Sequence, residues 1–227
     1  HHLYSKSSID SLIFYAFENN IKDIFLQVRS RDDALYKSQF VSLNQNVDEN
    51  LDPLEYALIL SELLNVKIHA WINTYLVWSS PKPPLDKEHI LFRYPEWIDN
   101  SNQANNLDNS IYLSPSHPEV NSYIYNIVKE LVKDYPLLSG IHFDYIRHKD
   151  YKYGFNDEAI SHFQKQNNFN PKLISENYNV LGLSKFETDS LLNIWNTFNQ
   201  KSITNLLKDI KFFINLTDSK ILLSAAV

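Results

Sequence analysis

The feature that most constrains this chain is a repeated alternation of short strand-like runs with longer helical stripes. The strand-like runs occupy residues 23–28, 66–73, 140–146 and 221–227. The stretches between them carry apolar residues at helical spacing, most clearly Val120, Ile124, Ile127, Val128, Leu131 and Val132. This alternation is typical of βαβ crossovers, in which successive strands run parallel in one sheet. A partial strand at residues 1–4 would make the run at residues 140–146, which contains Asp144, the fourth strand.

The connections differ in length with their direction. Links from helix to strand are short, whereas the links that leave strands are long, at residues 29–52, 74–115 and 147–153. Structureless loops beyond about 12–15 residues are uncommon and often functional. Because parallel barrels form their active sites at the carboxyl ends of their strands, these loops predict a site at that end.

The faces of the strand-like runs favour a barrel over an open sheet. Side chains alternate across a strand, so Ile141 and Phe143 share one face while His142 and Asp144 share the other. A doubly wound sheet that is buried on both faces would show near-continuous apolar runs instead. We therefore expect one (β/α)8 TIM-barrel-type domain over residues 1–227, with an ordinary doubly wound sheet as the alternative.

Polar side chains converge at the predicted carboxyl ends of these strands. Arg29, Asn73, His142 and Asp144 all fall at one rim, and polar groups buried without a purpose are costly. The rim is therefore interpreted as a site, with Asp144 nearest the chemistry because it ends a strand just before a loop. The alternative is a structural network in which Arg29 or Arg147 neutralises Asp144. Taken singly, His69 and His142 fit structural roles better.

Two Ser-x-x-Glu patterns predict helix starts. Ser116 with Glu119 and Ser184 with Glu187 have the spacing of capping boxes, in which each side chain satisfies a free backbone N–H group. We expect a helix to begin after each serine.

Composition excludes several classes of function. The net charge is −6, which gives no basic face for nucleic acid. No apolar run approaches the ~20 residues of a membrane span, and no signal peptide is visible, although an upstream leader could have been removed. The chain has no cysteine, which excludes disulfides and thiolate chemistry. Its three glycines cannot form a glycine-rich phosphate loop, and no cofactor is expected.

Residues 140–147, GIHFDYIR, resemble the signature of the glycosyl hydrolase-like family 10 proteins, the DUF187 group. Supporting segments follow in the family's order along nearly the whole chain: residues 27–31 with 33–34, 69–73, 89–97, 112–115, 117–120 and 223–227. His148 departs from the aromatic-proline continuation that the family usually has after Arg147.

The resemblance implies a carbohydrate hydrolase with a (β/α)8 fold, of which this chain holds about the first five βα units. By the same likeness a secreted, periplasmic or cell-envelope location is suspected. An incomplete barrel leaves open sheet edges, so we expect self-association or a covering partner if the chain is truncated.

Glycoside hydrolysis requires two carboxyl groups that flank the scissile bond. Asp144 is the candidate for one of them, and nearby Arg29 and Arg147 would favour its anionic form. Asp32, Asp33 and Glu96 are available for the second, but each fits a structural or solvated role better. We therefore expect the second carboxyl group beyond Val227.

The rim also offers groups that suit a sugar. Trp71 is the strongest candidate for a sugar platform, and Asn73 could hold a substrate hydroxyl or tie down the long loop. The other predicted binding residues are Arg29, Arg31, His142, Tyr145 and Arg147. Trp97 is expected to anchor its loop, and Trp195 to lie in the core.

Two other functions remain open. A metal-dependent hydrolase or deacetylase would use His69, His142 and Asp144, a set that can bind zinc. A non-catalytic carbohydrate-binding protein would share the aromatic rim without turnover.

Overall fold

A computed structural model of the chain describes residues 2–102, 109–177, 181–217 and 219–226. The helices are α1 (Lys6–Glu18), α2 (Pro53–Leu63), α3 (Ile90–Arg93), α4 (Val120–Asp134), α5 (Asp157–Asn167), α6 (Pro171–Asn177) and α7 (Lys185–Leu216). The strands are β1 (Asp23–Arg29), β2 (Asp33–Ala34), β3 (Ser42–Leu43), β4 (Lys67–Asn73), β5 (Leu76–Trp78), β6 (Ile111–Tyr112), β7 (Gly140–Asp144) and β8 (Leu222–Ala225). A 3-10 turn covers Pro95–Trp97.

The chain divides into two compact units. Unit 1 consists of His1–Thr74, Asn126–Ile146 and Ile210–Val227, and unit 2 consists of Tyr75–Tyr125 and Arg147–Asp209. The prediction of one domain over residues 1–227 stays a prediction, because a large single domain and two separate domains can both produce such a division.

Unit 1 is built on a mostly parallel sheet. Its strand order is β3-β2-β1-β4-β7-β8. Strands β1, β4, β7 and β8 run parallel to one another, whereas β2 is antiparallel to β1 and parallel to β3. The four longer strands appear in the order predicted from the alternating pattern. The expected mixed α/β class with a parallel sheet is therefore confirmed.

The two faces of this sheet differ as the alternation indicates. On one face Val28, Ile68, Ile72, Ile141 and Phe143 are at most 1% exposed and form the core. Burial of each such side chain stabilises the fold by roughly 1.5–3 kcal/mol. The opposite face carries a row across the four strands, in the register Gln27–Trp71–His142–Ser224.

The predicted strand at the amino terminus is wrong within the described residues. Residues 2–5 form turns and bends, and α1 follows directly, capped by the Ser5 side chain, which accepts from the Ser8 N–H group. Asp144 therefore ends the third of four parallel strands rather than the fourth. His1 and Val227 lie outside the described residues.

The two capping-box predictions have opposite outcomes. At α7, Ser184 N–H donates to Glu187 Oε2 at 2.9 Å and Glu187 N–H donates to Ser184 Oγ at 3.3 Å, which confirms that box. The prediction of a capping box at Ser116 is wrong, because the Ser116 hydroxyl donates to Asn199 Oδ1 at 2.7 Å. The Glu119 N–H group instead donates to His117 Nδ1 at 3.2 Å.

Unit 2 contains the antiparallel pair of β5 and β6 and a small aromatic core. The core packs Phe155, Phe163 and Trp195 around α5 and α7, and Trp195 is 1% exposed, as expected for a core residue. Asn156 begins α5 by accepting hydrogen bonds from the Glu158 and Ala159 N–H groups. Of the helices in the described part of the chain, none is long and apolar enough to cross a membrane.

Candidate active site at the ends of the parallel strands

Asp144 lies at the carboxyl end of β7 on the face opposite the core. Its neighbours Ile141 and Phe143 are buried, whereas its own side chain is half-buried. One carboxylate oxygen, Oδ1, accepts a hydrogen bond from the Tyr145 N–H group at 2.8 Å. The Asp144 carbonyl accepts from the Thr74 N–H group at 2.7 Å, which joins the ends of β7 and β4.

The backbone turns sharply just after Asp144. Tyr145 has a φ of 51°, in the left-handed region that a bulky side chain rarely adopts. Such a conformation costs on the order of 1–3 kcal/mol and tends to cluster at functional sites. The turn points the Tyr145 N–H group back to the carboxylate, so the strain and the position of Asp144 belong to one local arrangement.

Trp71 and His142 lie two residues before Asn73 and Asp144 on their strands, and their rings form a partly exposed patch on the same face. The Trp71 and His142 ring centroids lie 6.2 Å apart with the planes nearly perpendicular. His142 Nδ1 lies 2.9 Å from Ser224 Oγ. Trp71 Nε1 is buried and has no hydrogen-bond partner among the residues that the structure describes. This patch therefore combines aromatic surface with polar groups.

Arg29 is fully buried, and its side chain donates hydrogen bonds to backbone carbonyls at this rim. Its guanidinium pairs with Asp32 at 2.6 Å, donates to the Asn73 carbonyl and donates to the Thr74 carbonyl at 3.3 Å. Asp32 is 6% exposed and has a φ of 58°, so the chain folds back to bring its carboxylate to Arg29. In this arrangement Arg29 positions the end of β4.

Asn73 also ties elements together. Its amide nitrogen donates to the Ser30 carbonyl at 2.9 Å, and its amide oxygen accepts from Gln27 Nε2 at 3.2 Å. Asn73 is buried. The structure thus places it in the loop-holding position that was the structural alternative to a substrate contact.

Arg31 lies on the loop after β1, and Asp33 is the first residue of β2. The Arg31 side chain is exposed, and the Arg31 N–H group donates to Asp33 Oδ1 at 2.9 Å. Asp33 Oδ2 accepts from Asn44 Nδ2. Asp32 and Asp33, two of the candidate acids, therefore make structural contacts within the segment from Arg29 to Asn44.

The predicted metal-binding set is not brought together. His69 lies deeper along β4, where Nε2 is 2.9 Å from Asp23 Oδ1 and the ring stacks on Phe25 at 4.9 Å. Within residues 2–102, 109–177, 181–217 and 219–226, no three His, Cys, Asp or Glu side chains are grouped to hold a metal ion. His69, His142 and Asp144 do not form the zinc site of that alternative.

The remaining predicted residues lie in unit 2. Arg147 donates to the carbonyls of His148, at 3.1 Å, and Lys149, and its guanidinium lies 5.9 Å from the centre of the Tyr112 ring. Glu96 is exposed. Trp97 is 6% exposed and stacks on Tyr94 at 4.1 Å, so it anchors its loop.

The sequence did not indicate one polar pair of unit 2. His148 Nδ1 lies 2.8 Å from the buried carboxylate of Asp99. These residues are 49 positions apart, and Asp99 belongs to no recognisable motif. The departure of His148 from the family's usual residue was the one signal that could have directed attention to it.

Solved structures of glycosidases share this fold. The chitobiase of Flavobacterium johnsoniae aligns with 99% of this chain and 29% of its own, with a TM-score of 0.52 and 14% identity. A variant of the GH36 α-galactosidase AgaA from Geobacillus stearothermophilus, in complex with 1-deoxygalactonojirimycin, aligns with 99% of this chain and 26% of its own. Its TM-score is 0.51 at 15% identity. The chain thus has a mixed α/β fold with a mostly parallel sheet, like part of each of these structures.

The family is established by sequence. The glycosyl hydrolase-like 10 model matches residues 2–225, and the chain belongs to that family. It is 30% identical over 140 residues to the glycosyl hydrolase DigH of Escherichia coli K12, a match that covers 55% of this chain and 30% of DigH. It is 25% identical over 129 residues to the glycosyl hydrolase YngK of Bacillus subtilis, which covers 53% of this chain and 24% of YngK. The chain therefore spans less than a third of these relatives.

Proposed function

We propose that this chain carries part of the active site of a glycoside hydrolase that acts on a poly- or oligosaccharide, with Asp144 as one of the two carboxyl groups. We further propose that β1, β4, β7 and β8 are consecutive strands of a (β/α)8 barrel. The family and the glycosidase folds of its structural neighbours support both parts.

The observation that carries the proposal is the position of Asp144. It is a half-buried carboxylate at the carboxyl end of a parallel strand, on the same face as Trp71 and His142. Active sites of parallel barrels form at these strand ends. An acid that only stabilised the fold would be expected to pair with a cation of the core, as Asp32 does with Arg29.

The surroundings of Asp144 fit an anionic role. The Tyr145 N–H group donates to Oδ1 at 2.8 Å, and hydrogen bonds to a charged acceptor are stronger than those between neutral groups. Asp144 would then act as nucleophile or base, and an acid elsewhere would protonate the leaving oxygen. Trp71 would stack on a sugar ring. Arg29 would act through Asn73 and Thr74 as a positioning residue.

Hydrolysis by wild type and Asp144→Asn tests the proposal. Release of reducing ends is measured on cell-wall glycan, chitin oligosaccharides and a panel of aryl glycosides. Loss of the carboxylate is expected to lower the rate about 10²–10⁴-fold while circular dichroism stays unchanged. The matched control is Asp134→Asn, an exposed carboxylate at the end of α4, which should keep the wild-type rate. A fully active Asp144→Asn would contradict the proposal.

A non-catalytic carbohydrate-binding function is the second candidate. Asp32 pairs with Arg29, and Asp33 accepts a hydrogen bond from the Arg31 N–H group. Because these contacts hold both acids, neither is an evident second carboxyl group for Asp144, which favours binding without hydrolysis. Binding to the same glycans without product release, unchanged in Asp144→Asn, would support this function and would contradict hydrolysis.

A further inference from the structure

A serine and an imidazole from neighbouring strands of unit 1 form a pair on the face of the sheet that carries Asp144. His142 of β7 and Ser224 of β8 are opposite each other in the strand register, and His142 Nδ1 lies 2.9 Å from Ser224 Oγ. The residues are 82 positions apart in the sequence. Only the pairing of β7 with β8 therefore brings the serine to the imidazole.

Two aromatic rings pack against the same imidazole. The ring centroid of His142 lies 5.0 Å from that of Phe25 and 6.2 Å from that of Trp71, and both contacts are edge-to-face. A half-turn of the imidazole about its Cβ–Cγ bond would replace Nδ1 by a carbon atom and break the hydrogen bond to Ser224. Packing and hydrogen bonding together thus select one orientation of the ring.

The second ring nitrogen of His142 is open to solvent. His142 is half-buried, and Nε2 has no hydrogen-bond partner in the described part of the chain, yet it is not a buried atom. Asp144 follows two residues later on β7 and lies on the same face. At a rise of about 3.3 Å per residue, the two Cα atoms are roughly 6.6 Å apart along the strand. Nε2 is thus an accessible polar atom beside the proposed catalytic carboxylate.

We propose that Ser224 is a positioning residue of this site, whose hydroxyl donates to His142 Nδ1 and so keeps the ring proton on Nε2, which donates to an oxygen of the bound saccharide. The inference rests on the proposed function. In a neutral imidazole one nitrogen donates and the other accepts, so the hydrogen bond at Nδ1 decides the role of Nε2.

The charge on this face favours the proposed tautomer. An N–H group at Nε2 presents its positive end to the face that carries the Asp144 carboxylate, whereas a lone pair there would be repelled by that negative charge. A donor at Nε2 also complements Trp71, because stacking on an indole fixes the plane of a sugar ring but not its rotation in that plane. The Nε2 hydrogen bond would fix that rotation.

The tautomer is tested in the free protein by the ¹⁵N resonances of the His142 ring nitrogens in mildly alkaline solution. Wild type should show a proton on Nε2 and none on Nδ1. Ser224→Ala should move toward a mixture of the two tautomers, and Ser224→Thr, which keeps a hydroxyl, should resemble wild type. A proton held on Nδ1 in wild type would overturn the proposal, because Nε2 would then be an acceptor.

The contact to the saccharide is tested by calorimetry with chitin oligosaccharides and cell-wall glycan. Binding is compared between Asp144→Asn and the same variant with Ser224→Ala added, so that turnover does not interfere. Loss of the serine should weaken binding about 3–10-fold, and Ser224→Thr should restore it. Ser7→Ala, at an exposed serine of α1, is the matched control and should have no effect.

The outcomes separate this proposal from the proposed hydrolysis. If wild type binds glycans without cleaving them and Ser224→Ala still weakens binding, hydrolysis fails and the role of Ser224 stands. If wild type hydrolyses a glycan and a folded Ser224→Ala has an unchanged KM and dissociation constant, the role of Ser224 is overturned and hydrolysis stands. Absence of any glycan binding by wild type would also overturn the proposed contact.

Discussion

Asp144 and Arg29 show how far single residues can be understood from their sequence neighbours. The face of Asp144 followed from strict alternation along β7, because Ile141 and Phe143 had to be buried. The pairing of Arg29 with Asp32 could not be predicted in this way. Asp32 reaches it through a residue with a φ of 58°, a local backbone reversal that no periodicity encodes. A carboxylate three residues away was therefore available but not identified.

The buried pair predicts a large loss of stability in Arg29→Ala. This change leaves the Asp32 carboxylate buried and frees the Asn73 and Thr74 carbonyls, so the free energy of unfolding should fall by about 3–5 kcal/mol. Urea unfolding measures the change. Arg31→Ala, at an exposed side chain two residues further on, should stay within about 0.5 kcal/mol of wild type. Equal effects of the two substitutions would refute the structural role of Arg29.

The backbone at Gly140 leaves no room for a side chain. A Cβ atom at this position would lie 2.2 Å from His69 Nδ1 and 2.9 Å from the Leu222 carbonyl oxygen. The neighbours that impose this limit come from β4 and β8, which only the assembled sheet brings together.

At the scale of elements, long-range periodicity predicted more than local motifs did. The four parallel strands and the amphipathic stripe of α4 were predictable because burial of one face imposes a period that extends over many residues. The two Ser-x-x-Glu patterns were equivalent in sequence, yet one caps α7 and the other does not. Ser116 had a competing acceptor in Asn199, 83 residues away, and tertiary contact overrode local preference.

The start of α4 carries a pH-dependent contribution to stability. Burial lowers the pKa of His117, and this outweighs the opposing influence of Glu158, Glu119 and Glu96. The unfolded chain therefore binds this proton at a higher pH than the folded chain does. The contribution is complete above the ordinary pKa of about 6.5 and is lost as the pH falls through that value toward the lowered pKa.

Unfolding experiments between about pH 7.5 and pH 5.5 should show this loss. Wild type should become less stable toward the acid end, and His117→Gln, which keeps polarity without titrating, should show a shallower pH dependence. Identical slopes for the two proteins would mean that His117 does not contribute to the linkage.

At the scale of the whole molecule, β8 forms one edge of the six-stranded sheet in the described part of the chain, and β3 forms the other. Within the described residues β8 pairs with β7 on one side, and Leu222 is 65% exposed. Unpaired edge strands are sites of association unless another segment covers them. The sequence predicted such edges from the resemblance to a barrel family, whereas the division into two compact units had no signal in composition, because no linker-like stretch separates them.

The edge predicts self-association of the 227-residue chain. Size-exclusion chromatography with light scattering should show a mass above 26.6 kDa that rises with concentration. The Leu222 N–H group donates to the carbonyl of Ser139, just before β7, and the Ala226 N–H group donates to the carbonyl of Phe143 in β7. The Ala225 N–H group therefore faces away from β7. Ala225→Pro should block edge pairing, while Ala225→Val should not. A monomer at all concentrations would contradict this prediction.

The central claim is that Asp144 supplies an anionic carboxylate to glycoside hydrolysis, and chemical rescue tests it most directly. The measurement is turnover of an aryl glycoside that wild type cleaves, by Asp144→Ala with and without added azide. We predict that Asp144→Ala is inactive alone and that azide restores release of the aryl group with formation of a glycosyl azide. Wild-type turnover by Asp144→Ala without azide would contradict the claim.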